Sequence, residues 1–472
     1  MDAERSEARD QTFALRGRPR EITLAEDGLH HPRASRGRGF AYTPYDDITH
    51  LATSPRAVWI GSRSSVYVLG RSVFADRNGP ENLVRALLER IARRPGGTGQ
   101  LARMAEIEEL SRVPRVLRAT WSLAIVCLAV FGLQILAGRN VEEVGYFNRV
   151  LVEDGDYWRL VTANLLHAYP GFPLHLVTNL LGLFVLGNLA ERALGSARIA
   201  WVIGASGIAA MLASGLAAYP RVLGVSGVVA GLFGAVVWLE LRRADRLPAW
   251  WRIPRRLLLF VFVLSTLFDA LVPITAGAAH LGGFAAGMLA TAVVAGRPAA
   301  SGHPSPTWVR AGCAVVVAVA ALAGGQAAYE LLRPGDYSAR LTARLAGLPG
   351  ISPAELNNIA WFIAIDPESD REHLEAALLL AERAASETDR SLATVLDTLA
   401  ELQFQLGHPE QALVTIDEAI AQDPATEYYR EQRRRFLGER DPDDRPEAPL
   451  PWPLHPDDGS PKAPPKQDGI RV

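Results

Sequence analysis

Ser226 stands in Gly224-Val225-Ser226-Gly227 and His280 in Ala279-His280-Leu281-Gly282-Gly283, each at the head of a long apolar stretch. A hydroxyl is a poor nucleophile until a neighbouring base accepts its proton, and imidazole is the side chain suited to that task near neutral pH. His175 and Asn179 lie four residues apart at the start of another apolar stretch. On a helix both would sit on one face, where they could donate hydrogen bonds to a developing oxyanion. Each piece also has a bland reading. Gly-x-Ser-Gly in an apolar helix is a packing motif, an intramembrane histidine can carry protons, and an asparagine can bond a neighbouring helix. Packing accidents have no reason to place all of them at one depth, so their coincidence favours catalysis.

Positioning these groups falls to nearly charge-free runs at Ala119 to Gly138, Leu174 to Ala190, Ile199 to Ala218, Val222 to Leu239, Leu257 to Ile274, Ala276 to Gly296 and Trp308 to Tyr329. Each has the roughly 17 to 25 residues of a bilayer-spanning helix, which predicts seven spans. In the fourth, Ser226, Gly227, Ala230, Gly231 and Gly234 share one broad arc, and in the sixth His280, Gly283 and Gly287 share a narrower one. Faces of small residues let helix backbones approach closely, which would bring hydroxyl and imidazole within reach. Arginines set the expected orientation, because basic short loops stay in the cytoplasm. Arg242, Arg243, Arg246, Arg252, Arg255 and Arg256 crowd the loop after the fourth span, and Arg112, Arg115, Arg118, Arg192, Arg198, Arg297 and Arg310 fall on the same side. A cytoplasmic N-terminus and an extracytoplasmic C-terminal region follow from seven crossings, with His175, Ser226 and His280 near the outer face.

The chain of 472 residues is near neutral, at net charge −2, and its only cysteines, Cys127 and Cys313, both fall in apolar runs. That pattern holds no disulfide framework and no metal-ligand spacing, and a thiol nucleophile is not expected. The polar first hundred residues lack a signal-peptide pattern, so the first span is expected to direct membrane insertion. Residues 1–95 read as a small β-rich domain with a hairpin (Ala57 to Gly61, Ser65 to Leu69) and a closing helix over Glu81 to Arg93. A linker (96–118), a six-span core (119–296), a loop with a seventh span (297–330) and a second linker (331–349) precede helices over 350–440 and a Pro- and Asp-rich tail (441–472) read as disordered. The fold class expected is a polytopic all-α membrane protein with a β-rich N-terminal domain and a C-terminal helical repeat region.

Several motifs together resemble the rhomboid intramembrane serine proteases over about Tyr157 to Gly296. They are Tyr157-Trp158-Arg159, His175-x-x-x-Asn179, Glu191-x-x-x-Gly195-Ser196, Gly224-x-Ser226-Gly227 with Gly231 and Gly234, and Ala279-His280 with Gly283 and Gly287. The resemblance implies Ser226 as nucleophile, His280 as base, and His175, Asn179 and the Ser226 N–H as oxyanion donors. Gly224, Gly227, Gly283, Trp158 and Arg159 would be supporting residues. It further implies a Ser-His dyad without a carboxylate, in keeping with Asp269 in the preceding span being the nearest upstream acid to His280. No metal, nucleotide or other cofactor is implied.

Substrates would be transmembrane proteins within the lipid bilayer, nucleic acid would not be a partner, and the location implied is a bacterial inner membrane. Two positions depart from the family pattern: Ala230 stands where an aromatic residue is common, and Tyr169 to Pro173 lengthens the interval between His167, a histidine the family often carries there, and His175. Residues 1–95 are weakly similar to pleckstrin-homology domains. Leu392 to Pro424, preceded by a degenerate unit at Asn357 to Ala385, resembles tetratricopeptide repeats, which would offer a groove to a peptide or protein partner. The competing functions are a non-catalytic rhomboid-like adaptor and a transporter or channel using intramembrane histidines as a proton path.

Overall fold

The computed structural model describes residues 10–16, 21–32, 40–112, 116–168, 173–219, 221–272, 275–296, 305–333 and 336–446. Tyr169 to Phe172 of the lengthened interval, Arg115, Arg297 and the tail beyond residue 446 lie outside these. The chain forms two compact units, one of residues 1–128, 172–217 and 224–319, the other of residues 129–171, 218–223 and 320–472.

Among the described residues the first unit opens with two antiparallel sheets. β1 (Gln11–Ala14), β2 (Glu21–Leu24), β3 (Gly28–Pro32) and β4 (Phe40–Pro44) pair in chain order, as do β5 (Ile48–Thr53), β6 (Ala57–Ser62) and β7 (Val66–Gly70). The expected hairpin is the β6–β7 pair, with Trp59 opposite Val68. α1 (Gly79–Ala92) lays Leu83, Leu87 and Ile91, spaced by four, into a core with Ile22, Leu24, Leu29, Val58 and Ile60, while Leu88 points outward. α2 (Gly97–Arg112) follows, and Gln100 donates to the Tyr45 and Ile48 carbonyls at 2.7 and 2.8 Å.

Seven apolar helices come next: α3 (Arg118–Ala137), then, after α4 (Arg139–Gly145), α5 (Arg149–Glu153) and α6 (Arg159–Thr162), the helices α7 (Pro173–Leu194), α8 (Ser196–Leu216), α9 (Ser226–Arg242), α10 (Arg255–Leu271), α11 (Gly277–Val294) and α12 (Thr307–Leu332). Among the described residues five of them, α3, α7, α8, α11 and α12, are long and apolar enough to cross a membrane. α9 and α10 have 17 residues each. The fourth expected span starts at Ser226 instead of Val222, because residues 221–225 are non-helical and Gly224 among them takes φ +121°. That left-handed backbone favours glycine.

Within the first unit α11 packs on α8 and α9, and α9 on α7. Glu191 of α7 accepts from the Ala119 and Thr120 N–H groups, both at 2.9 Å, and from the Thr120 hydroxyl at 2.6 Å, so it caps the start of α3. The arginine-rich loop after α9 is tied to the β-sheets. Arg252 pairs with Glu240 at 2.6 and 3.1 Å and also donates to the Ser62 carbonyl, while His50 Nδ1 accepts from the Ala249 N–H at 3.2 Å.

The second unit holds α4 to α6 and the C-terminal helices α13 (Tyr337–Leu345), α14 (Pro353–Ile365), α15 (Arg371–Glu387), α16 (Ala393–Gln405), α17 (Pro409–Gln422) and α18 (Glu427–Phe436). α14 starts with a Ser352/Glu355 capping box. Successive helices from α14 to α18 pack on one another, with Ala377, Ala381, Ala384, Ala400, Ala412 and Ala419 buried where they meet.

Candidate functional site: a serine and a histidine at two helix heads

Ser226 is the first residue of α9, so its N–H and those following lack partners within the helix and sit at the positive end of its dipole. His280 lies in the first turn of α11. Glycines set how closely these helices approach. A Cβ on Gly283 would collide with the Gly227 carbonyl, one on Gly287 with the Gly231 backbone, and one on Gly234 with the Phe284 carbonyl. On the far side of α11, a Cβ on Gly282 would stand 2.6 Å from Ala213 Cβ and 2.9 Å from the Ala209 carbonyl. With the backbones in contact, His280 Nε2 lies 2.8 Å from Ser226 Oγ. This is the geometry by which an imidazole takes a hydroxyl proton.

His175 reaches the same place from α7: a Cβ on Gly224 would meet its Cε1 at 2.8 Å and Nε2 at 3.0 Å, with Ser226 Oγ 3.9 Å away. Gly224 thus leaves room for the imidazole edge beside the serine. Asn179, one turn further along α7, is 6% exposed, and its Nδ2 is buried without a hydrogen-bond partner among the described residues. A buried donor is costly to leave unpaired, and this one is free to serve a negative oxygen.

The expectation that no carboxylate stands near His280 is overturned. His280 Nδ1 lies 2.9 Å from both carboxylate oxygens of Asp269. Eleven residues separate the two in sequence, but α10 and α11 follow one another in the chain and touch. A residue near the end of α10 comes level with one in the first turn of α11. The signal available beforehand was the acid itself: a carboxylate in an apolar run needs a partner, and the next span begins with a histidine.

Trp158 and Arg159 form a constellation of their own within the second unit. Arg159 is fully buried. Its Nε bonds Asp156 at 3.0 Å, Nη1 donates to the Glu143 and Tyr146 carbonyls at 2.8 and 3.0 Å, and Nη2 donates to the Tyr337 hydroxyl at 2.5 Å. Trp158 Nε1 donates to the Val144 carbonyl at 3.1 Å. The pair clamps α4 to α6 against the start of α13. In the same unit Gln134 holds the backbone of His167 through both its N–H and its carbonyl, at 3.1 and 2.8 Å.

Comparison with known proteins adds an independent line. The family described as Rhomboid domain matches residues 154–297. The chain is 27% identical over 307 residues to rhomboid protease GluP of Bacillus subtilis (strain 168), covering 64% of this chain and 54% of that protein. It is 30% identical over 180 residues to RHOMBOID-like protein 5 of Arabidopsis thaliana, covering 37% and 55%. It is also 30% identical over 175 residues to rhomboid protease GlpG of Klebsiella pneumoniae subsp. pneumoniae, covering 36% and 60%. The chain thus spans between 54% and 60% of the length of these relatives. These matches support the rhomboid family through a rhomboid domain at residues 154–297, which includes Ser226, His280, His175, Asn179 and Asp269.

Proposed function

We propose that this chain is an integral-membrane serine endopeptidase that hydrolyses peptide bonds in or near the transmembrane segments of other membrane proteins. The observation that carries the reading is the 2.8 Å contact between Ser226 Oγ and His280 Nε2 at the heads of two apolar helices. Two relatives are named as proteases, which supports it. His280 Nε2 takes the Ser226 proton as Oγ attacks the scissile carbonyl carbon. The oxyanion is met by the Ser226 N–H, Asn179 Nδ2 and the His175 imidazole. Collapse expels the amine, which receives the proton from His280, and water then releases the acyl group by the reverse sequence. A substrate helix must unwind locally first, since a carbonyl within an intact helix is hydrogen-bonded and hard to attack.

The arginine-rich loop after α9 supports a cytoplasmic N-terminus and an extracytoplasmic C-terminal region in a bacterial inner membrane. A reporter fused after Gly350 should read outside the cytoplasm, and a cytoplasmic reading sinks that orientation. The tetratricopeptide-like helices α14 to α17 are read as a docking region for a peptide or protein partner. The activity is tested by labelling purified protein with a fluorophosphonate probe beside Ser226→Ala and His280→Ala. Labelling confined to the wild type supports an activated serine. A folded wild type that neither labels nor cleaves a reporter transmembrane substrate points to a non-catalytic adaptor.

A further inference from the structure

A bulge in β5 turns a histidine away from the core of the β-rich domain and toward the loop after α9. β5 and β6 pair with one extra residue, Thr49, between Ile48 opposite Ser62 and His50 opposite Gly61. Ile48 and Leu51 both pack into the domain core, so the extra residue leaves His50 on the other face. His50 is nevertheless only 1% exposed, because α2 and the loop cover it.

Each ring nitrogen meets a partner of one kind. Nδ1 lies 3.2 Å from the Ala249 backbone nitrogen in the loop, and Nε2 lies 3.2 Å from the Glu108 carboxylate on α2. A backbone N–H can only donate and a carboxylate accepts, so the neutral imidazole with its proton on Nε2 is the form that serves both. Ala249 is fully buried, a Cβ on Gly61 would stand 3.3 Å from its Cβ, and the Trp250 ring packs 5.3 Å from the imidazole, centroid to centroid. The other ties across this interface are guanidinium bonds to carbonyls, Arg252 to Ser62 and Ser65 and Arg255 to Arg63. Guanidinium groups keep their protons, which leaves His50 as the group that can respond to pH near neutrality.

The charges around the ring are few. Glu108 faces it and holds Arg112 through its other oxygen at 3.0 Å, while Arg103, Glu106 and Glu109 of α2 are exposed. From the α1 side, Arg90 reaches the Ala25 carbonyl at 3.4 Å and Arg94 pairs with Asp46 at 3.1 and 3.2 Å. In the β6–β7 turn Arg63 stands 3.8 Å from Asp47. The loop contributes Asp245 and Arg246, both exposed, and Arg252, which pairs with Glu240.

We propose that this contact is a proton-released latch: a proton from water binding at Nδ1 turns the acceptor for the Ala249 N–H into a second donor, and the loop around Ala249 lifts off β5. The latch couples the proton concentration on the side of the β-rich domain to the junction between α9, which begins at Ser226, and α10. The inference stands apart from the serine-protease reading, since it concerns a contact and not a reaction. Burial holds the His50 pKa below its ordinary 6.5 while the latch is closed, and Glu108 pulls it part of the way back. A released His50 regains the ordinary value, so the open form binds the proton more tightly. The contact is therefore fully present above about pH 6.5 and weakens as pH falls through that value.

The test is hydrogen exchange of the full-length protein in detergent or nanodiscs at pH 7.5 and 5.5, with rates corrected for the intrinsic pH dependence of amide exchange. Peptides covering residues 244–252 report opening of the latch. In wild type the opening equilibrium should rise by about three- to tenfold between the two pH values. His50→Asn, whose amide oxygen can accept at the Nδ1 position without titrating, should change by less than about twofold. Glu108→Gln removes the charge that favours the cation in the closed form, so its response should be at least as large as that of wild type.

A wild-type change below about twofold overturns the proposal, as does a His50→Asn protein that opens as much as wild type. A parallel loss of protection in α1 at pH 5.5 also overturns it, because that would be unfolding of the domain and not release of the loop. Should His50→Asn fail to fold, His50→Gln takes its place, and a Glu108→Gln response smaller than that of wild type overturns the proposal by itself.

Discussion

Replacing Gly283 by alanine should disable the serine without touching any group that reacts. Gly283 lies three residues after His280 and faces Gly227, the residue after Ser226, so the added methyl enters at the level of the site. It would collide with the Gly227 carbonyl oxygen and stand 2.8 Å from the Gly227 carbonyl carbon and 3.2 Å from its Cα. Ordinary carbon contacts lie at about 3.5 to 4 Å, so α9 and α11 must part by about an ångström. The Ser226–His280 contact, 2.8 Å in the native chain, would then pass beyond hydrogen-bonding range. Overpacking of this kind costs about 1 to 3 kcal/mol in stability, and a displacement of about 1 Å at a reacting pair costs about 10²-fold in rate.

Two further glycines serve as comparators. Gly234→Ala creates a collision with the Phe284 carbonyl at the same interface two turns away from Ser226, so it should cost similar stability and less rate. Gly324→Ala, whose Cβ would meet nothing within 4 Å, should be neutral in both. The assay is the second-order rate of fluorophosphonate labelling, paired with thermal unfolding in the same detergent. A Gly283→Ala protein that labels at the wild-type rate would refute the claim that glycine contacts set the distance between serine and base.

Away from the membrane helices, the Asp397 carboxyl is pushed up to about 7, first by complete burial and then by Glu401, while Tyr428 and Gln432 donate to it at 3.1 and 3.3 Å. The folded value lies above the unfolded one, so the associated stability is fully present below about pH 4 and is lost as pH rises through about 7, some 4 kcal/mol in order of magnitude. Asp397→Asn should therefore protect α16 and α18 from hydrogen exchange more than wild type at pH 8, with the gap narrowing toward pH 5. A gap that does not change with pH would count against it. Arg159→Lys keeps a charge near Asp156 but cannot also serve two carbonyls and Tyr337, so unfolding of the second unit should ease by about 2 to 4 kcal/mol. Limited proteolysis at α4 to α6 would read this, and wild-type resistance would show that the clamp is dispensable.

Much of the architecture is legible in residue order, since hydrophobic runs of bilayer length and the spacing of Leu83, Leu87 and Ile91 are local patterns, and a helix or hairpin forms wherever its own residues bury one face. The glycine stripes of α9 and α11 likewise announce a close approach. What local patterns do not carry is partnership. Glu191 could have been a site residue, yet it caps α3 from 71 and 72 residues away. Arg159 finds the Tyr337 hydroxyl 178 residues on. In residue order Asp269 belongs to one span and His280 to the next, and only the packing of α10 beside α11 turns that separation into a 2.9 Å contact. The amino-acid sequence by itself determined which segments are long and apolar and which hydroxyl and imidazole side chains stand at their heads. Tertiary packing decided which of those side chains meet, because hydrogen bonds act over about 3 Å and depend on how helices distant in sequence are brought side by side.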